Sequence, residues 1–327
     1  MSTGPEGREL VAGPEDAGRR LDKILRAYLG NSTLSEIYAG LRKGKIRVNG
    51  HKAEPELRLD AGDRIFLHSS LEISDKGGGR PAVSEDEGLR EIAEMLILVT
   101  EDLIFVNKPR GELSQGPDGL EPRIRRALSA RSSSSLSFVP GPLHRLDRNT
   151  SGILTFPRSA AGARAFSALI RERRIIKRYL ALVDGELAES SEWRDRMIRD
   201  GKTRKSSLSA TGDEALSRVH PLLVYGGRSL LLVELHTGLT HQIRAQSSAR
   251  GFPLSGDVKY GGEPLLGGYI LHALSLEFPE PPFADLPRLV IAPLPAGPQE
   301  RLSRLFGDEA LRAALAEAPE GRSRCQK

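Results

Sequence analysis

Residues 144–152 read His-Arg-Leu-Asp-Arg-Asn-Thr-Ser-Gly. One carboxylate, Asp147, stands between two guanidinium groups, Arg145 and Arg148. Nearby positive charge favours the ionised form of an acid. Asp147 is therefore suited to act as a nucleophile or base rather than as a proton donor at neutral pH. By spacing alone the same residues also make an ordinary salt-bridged surface loop. The stretch ends in a Thr-Ser-Gly turn, and a hydrophobic run from Ile153 to Phe156 follows. Tyr179 lies in Ile176-Lys-Arg-Tyr-Leu-Ala-Leu-Val-Asp-Gly185. Its ring can stack on a base and its hydroxyl can serve as a general base or hydrogen-bond partner, but taken alone it is more readily a core residue. In His236-Thr-Gly-Leu-Thr-His-Gln-Ile-Arg244, Thr240 reads as a helix N-cap, which sets His241 and Arg244 at i and i+3 on one face.

These residues need elements to position them. A chain of 327 residues suggests two domains. Residues 16–70 form one pattern. Leu21, Ile24, Leu25, Tyr28 and Leu29 recur at helical spacing, and Thr33 with Glu36 reads as a capping box opening a second helix. Lys43-Gly-Lys-Ile-Arg-Val-Asn-Gly50 reads as an alternating strand closed by an Asn-Gly turn. This segment holds eleven Lys and Arg against seven Asp and Glu. Residues 71–91, with Gly77–Gly79 and Pro81, read as a flexible linker. A second domain over 92–300 opens with paired strands at Leu96 and Leu103. It continues with a surface loop at Ser132–Ser135, a helix over 159–174 and the Tyr179 strand. Strands at 204–211, 215–225 and 229–236 precede a helix over 240–250. Residues 301–327 read as a C-terminal helix and tail. Strands outnumber helices and alternate irregularly with them, so the expected class is α+β, with a mixed, mostly antiparallel sheet flanked by helices.

The stretch at 144–152 resembles the catalytic motif of the RluA-like family of pseudouridine synthases, His-Arg-Leu-Asp-x-x-Thr-Ser-Gly. Further motifs follow in the family's order. The Tyr179 strand matches the one bearing the active-site tyrosine, and residues 237–244 resemble Thr-Gly-Arg-Thr-His-Gln-Ile-Arg. The resemblance implies that Asp147 is the catalytic aspartate, Tyr179 the active-site tyrosine and Arg244 the partner of Asp147. It implies base flipping by Arg145 and a uracil pocket that includes Leu271, from Ile270-Leu271-His272-Ala273. Gly256-Asp257-x-x-Tyr260-Gly261 matches a structural motif of the family. Two positions depart from the pattern: Leu239 stands where the family has arginine, and Gln246 where it has histidine. In Asn107-Lys-Pro-Arg-Gly-Glu-Leu-Ser-Gln, Ser114-Gln115 replace the usual Val-His, and no chemistry is assigned there. The N-terminal pattern resembles the S4-type RNA-binding domain. By that resemblance Arg42, Lys43, Lys45 and Arg47 contact RNA phosphates. The implied reaction is isomerisation of uridine in RNA, in large-subunit rRNA before tRNA, by a monomer that needs no cofactor.

Composition agrees with that picture and narrows it. The net charge is +5, a mild basic excess suited to a polyanionic partner. None of the seven histidines has a metal-binding spacing, and no Gly-rich nucleotide loop is present. The single Cys325 permits no intramolecular disulfide, which fits a reducing cytoplasm. No apolar run reaches the length of a membrane span, and Met1–Gly13 has no apolar core of a secretory signal. Two rivals stand beside the synthase reading. One is a non-catalytic RNA-binding ribosome-assembly factor. The other is a nucleoside or glycoside hydrolase, which would need a second carboxylate.

Overall fold

A computed structural model describes residues 7–29, 32–71, 84–129 and 135–321. Gly77–Gly79, Pro81, Cys325 and most of the expected Ser132–Ser135 loop lie outside these residues. The chain divides into two compact units. The first holds the described residues up to Ala93 together with Glu121–Gly141 and Pro157–Gly162; the second holds Glu94–Leu120, Pro142–Phe156 and Ala163 onward. This division is more interleaved than a single break at 71–91. A physical reason lies in Asp16, which is fully buried. Its carboxylate accepts hydrogen bonds from the Ser135 and Ser137 hydroxyls and from the Leu136 amide, drawing residues 135–137 into the first unit.

In the first unit, strand β1 (Gly7–Val11) precedes helices α1 (Leu21–Leu29) and α2 (Leu34–Arg42). Strands β2 (Ile46–Val48), β3 (His51–Lys52) and β4 (Arg64–His68) complete a sheet of order β1-β4-β2-β3. Leu21, Ile24, Leu25, Ile37, Ile46 and Ile65 form its core. The Thr33–Glu36 capping box is closed in both directions. Asn49 and Gly50 both take positive φ, the backbone that a two-residue hairpin requires. Strand β1 had no counterpart in the sequence reading, because its five residues carry only one inward apolar side chain, Leu10. Part of the expected linker is helical: α3 spans Glu85–Glu91, capped by Ser84. Helix α4 (Leu120–Ala127) follows later in the chain.

The second unit is built on a ten-stranded sheet. Its strands are β5 (Leu96–Val99), β6 (Leu103–Lys108), β7 (Ser151–Pro157), β8 (Ile176–Asp184), β9 (Ser191–Arg199), β10 (Ser206–Leu208) and β11 (Asp213–Tyr225). Strands β12 (Arg228–Leu235), β13 (Leu271–Glu277) and β14 (Leu289–Ile291) complete it. The order is β10-β9-β11-β12-β8-β13-β7-β6-β5, with β14 on β13. The β13–β7 pair is parallel, while β8 lies antiparallel to both β12 and β13. Helices α5 (Ala160–Arg171) and α6 (Gln242–Ala249) accompany the strands. The expected single C-terminal helix is two, α7 (Ala296–Phe306) and α8 (Asp308–Glu317), whose Leu302 and Leu311 pack on Leu180, Leu182 and Leu232 of the sheet. The opposite face of β8 carries Tyr179, Ala181 and Val183 into a different core. That alternation points Tyr179 away from the C-terminal helices.

Candidate active site

Asp147 sits on the loop before β7, and that loop is fastened from behind. The Ser114 hydroxyl donates to the Leu146 carbonyl and accepts from the Leu146 amide, both at 3.0 Å. The Arg148 carbonyl accepts from the Gly111 amide at 2.8 Å and from Lys108 Nζ at 3.1 Å. Lys108 is fully buried at the end of β6, and its ammonium also donates to the carbonyls of Pro109 and Glu112. Burial pushes its pKa down to about 8, with Glu112 and Asp147 pulling the other way. Sequence reading assigned this stretch no role. Its signal was a lysine ending an apolar strand, which is ambiguous without the third dimension.

Ser151 and Gly152 open β7 rather than closing a turn. Gly152 has φ +110°, and a Cβ there would stand 2.2 Å from the Ala273 carbonyl oxygen on β13. Only glycine lets the two strands approach so closely. This approach brings the Asp147 loop beside Leu271, the first residue of β13.

The flanking arginines do not pair with Asp147. Arg148 Nε donates to the Gly111 carbonyl, and Arg145 is exposed. The cation beside Asp147 is Arg244, whose Nη1 lies 3.3 Å from Oδ2. Arg244 is itself held on every side. Asp257 accepts from Nε at 2.6 Å and from Nη2 at 2.8 Å. The rings of Tyr260 and Tyr269 lie 4.8 and 4.9 Å from its guanidinium carbon. Burial works against the charge on Arg244, but the Asp257 hydrogen bonds together with the fields of Tyr269, Asp257 and Asp147 outweigh it and raise the pKa. Asp257 and Tyr260 belong to the Gly-Asp-x-x-Tyr-Gly stretch, so their motif was visible while their target was not.

His241, not Thr240, immediately precedes α6. It takes a left-handed φ of 57°, while the Thr240 carbonyl accepts from the Ser206 hydroxyl. This backbone turn brings His241 Nε2 to 3.7 Å from Asp147 Oδ2, with Nδ1 2.9 Å from the Tyr260 hydroxyl. Burial depresses the His241 pKa; Asp147 opposes this, and Arg244 and Lys259 reinforce it. Gln246 is wholly buried, bonding Trp193, Asp195, Ala215 and Ser217. It is a structural tie within α6, β9 and β11. His144 and His272 are likewise ties: burial lowers both pKa values to about 4, and they bond Thr155 and Ser151 respectively.

Two recesses meet at Asp147. The larger, about 600 Å³, is lined by Arg110, Arg145, Arg148, Arg244 and Lys259 along with Ser114 and Asp257. The smaller, about 270 Å³, brings Asp147 together with Arg145, Tyr179, Leu271, Lys177 and Leu239. Among the described residues, Asp147 is the one carboxylate in the wall of the smaller recess. Burial, helped by the Asp147 charge, drives the Tyr179 pKa well above the ordinary phenol value. That leaves stacking and hydrogen bonding as its available roles and disfavours service as a base. The remaining expected site residues lie in the first unit. Arg42 ends α2, Lys43 and Lys45 follow it, and Arg47 projects outward from β2 between inward Ile46 and Val48. None of the four has a carboxylate partner among the described residues.

A cationic recess joined to a smaller, more apolar one, with Asp147 in the wall of both, is suited to an anionic chain that inserts one ring. Residues 102–249 match the family model for RNA pseudouridylate synthase, and residues 19–65 match the S4 domain. Ribosomal large subunit pseudouridine synthase C of Escherichia coli (strain K12) is 29% identical over 319 residues, covering 92% of this chain and 97% of that protein. An RNA pseudouridine synthase of Bacillus subtilis (strain 168), YlyB, is 28% identical over 310 residues, covering 91% and 97%. The solved structure of human RNA Pseudouridylate Synthase Domain Containing 4 shares the fold, with a TM-score of 0.54 at 18% identity over 69% of this chain and 95% of that one. The chain carries an RNA pseudouridylate synthase domain over residues 102–249 and an S4 domain over residues 19–65. It is an isomerase that converts uridine in RNA to pseudouridine.

Proposed function

We propose that this enzyme modifies uridines of large-subunit ribosomal RNA, with Asp147 as its catalytic aspartate. The observation that carries the assignment is the arrangement around one carboxylate. Arg244 and His241 both approach Oδ2 of Asp147, so Oδ1 is left to face substrate. The RNA backbone lies along the larger recess, where five cationic side chains meet phosphates. The target uridine leaves its stack, at a cost of roughly a few kcal/mol, and enters the smaller recess while Arg145 occupies the space near its former position. Tyr179 and Leu271 hold the ring.

Asp147 then promotes cleavage of the bond between the sugar C1′ and the ring N1, as nucleophile or by deprotonating the ribose. The freed uracil turns within the recess and its C5 bonds to C1′. With Tyr179 held as a phenol, Asp147 is the group in the smaller recess placed to take the C5 proton. Nothing is oxidised and no group is donated, so the reaction draws on no cofactor. A glycosidase using Asp147 would need a second carboxylate as acid, and among the described residues the smaller recess has none. The names of the relatives and the S4 domain favour ribosomal RNA over tRNA. The reading makes the enzyme a cytoplasmic monomer.

Tritium release from [5-³H]uridine-labelled large-subunit rRNA tests the substrate, with labelled tRNA as the competing case. Asp147→Asn is expected to retain RNA binding and to lose at least about a thousandfold in turnover. Turnover near that of the wild type would remove Asp147 from the mechanism, and free uracil as product would favour hydrolysis.

A further inference from the structure

Strand β8 delivers two side chains to the smaller recess. Lys177 precedes Tyr179 by two residues, so both project from one face of the strand, and both line the recess with Asp147 and Leu271. Leu143, Ile170, Leu235 and Leu239 make the surrounding wall apolar. The Lys177 Nζ stands 3.6 Å from the point that a Cβ on Gly238 would occupy. Among the described residues it has no carboxylate or carbonyl partner. Burial, reinforced by Arg173, holds its pKa below the ordinary lysine value. The side chain is only partly exposed, so its ammonium is incompletely hydrated and has donors free for another group. Lys108, by contrast, is buried and satisfied by three carbonyls.

We propose that Lys177 is a catalytic residue: its ammonium donates a hydrogen bond to a carbonyl oxygen of the target uracil and stabilises the negative charge that the ring acquires as its glycosidic bond breaks. This rests on the smaller recess being the uracil pocket. When C1′–N1 breaks, the electron pair stays with N1, and the ring departs as an anion delocalised onto O2 and O4. The sugar carbon is left as an oxocarbenium ion, as its ester with Asp147, or, after ribose deprotonation, as an enol ether. Bond formation from C5 returns the electron pair, and loss of the C5 proton with protonation of N1 completes the product. Charge is thus greatest on the uracil oxygens between the two bond changes. A partly buried cation there acts where charge develops. Arg244 is engaged elsewhere, since each of its three nitrogens donates to Asp147 or Asp257.

The test uses the full chain and an RNA in which the wild type forms pseudouridine, prepared with uridine or 5-fluorouridine at the target. Fluorine stabilises the departing ring by itself, so the 5-fluoro substrate depends less on Lys177. Single-turnover cleavage is followed by loss of the parent nucleoside after digestion. K177M is expected to keep RNA affinity within about twofold, to slow uridine by roughly a hundredfold or more, and to slow 5-fluorouridine by only about tenfold. K177R should recover part of the rate. If K177M melts early, K177Q carries the same comparison. Equal losses on both substrates, a loss confined to affinity, or no loss would each overturn the proposal. A wild type that forms no pseudouridine in any RNA would instead undo the pocket assignment beneath it.

Discussion

Where Asp147 points is decided by Arg244, and where Arg244 points is decided by Asp257. Bidentate pairing fixes the guanidinium plane, two tyrosine rings fix its faces, and the remaining nitrogen reaches Asp147 at 3.3 Å. Replacing Asp257 by Asn keeps the volume but removes a charge from a site only 2% exposed. We expect Asp257→Asn to lower the single-turnover rate by about a hundredfold with RNA affinity unchanged, through loss of an oriented charge-assisted pair. Arg244→Lys should not substitute, because one ammonium cannot bridge two carboxylates in a fixed plane. An Asp257→Asn enzyme as fast as the wild type would show that the pair serves packing alone. The motifs at 144–152 and 237–244 made Asp147 and Arg244 legible in the sequence. Tyr269 was not legible: it lies outside every motif noted and reaches Arg244 only through the fold.

At the scale of elements, the site depends on how closely β7 and β13 run. Gly152 allows that approach, and His272 locks it, with Nδ1 against the Ser151 hydroxyl and Nε2 donating to the Ala292 carbonyl. Gly152→Ala must separate the strands, since backbone atoms occupy the space a Cβ would take. Its expected cost is about 3 kcal/mol or more in urea unfolding. His272 also makes the sheet acid-sensitive. Its folded pKa, about 4, lies below the ordinary histidine value, so the folded state resists a proton that the unfolded chain accepts. Its stabilising contribution is present above about pH 6.5 and is lost as pH falls from there toward 4, by up to about 3 kcal/mol. His144 acts in the same direction. Unfolding measured at pH 7 and pH 5 should therefore differ more for the wild type than for His272→Gln. The Tyr179 strand was readable as an apolar run, whereas β9 was missed. Trp193 and Met197 face inward there, but charged residues between them mask the alternation.

For the whole molecule, a pattern at 16–70 followed by a linker at 71–91 suggests deleting the first module as a test of RNA binding. The buried Asp16 argues against that test, because its loss would leave Ser135, Leu136 and Ser137 without the acceptor that organises them. Long-range hydrogen bonding of this kind leaves no local trace in a sequence, so the interleaving of the two units was hidden. The contribution of the S4 domain to RNA binding is better measured with Arg42, Lys43, Lys45 and Arg47 replaced together by Gln. These side chains have no carboxylate partners among the described residues, and Ile46 and Val48 carry the local packing. The fold should therefore be unaffected, within about 0.5 kcal/mol. Every phosphate left without its cation removes roughly 0.7 from the slope of log affinity against log salt for single-stranded RNA. The quadruple variant should thus show a slope shallower by up to about 3, with weaker binding at low salt. At saturating RNA its single-turnover rate should stay within about twofold of wild type, since Asp147, Arg244 and the smaller recess are untouched. An unchanged slope would place the phosphate-binding groups on other surfaces, the larger recess beside Asp147 first among them.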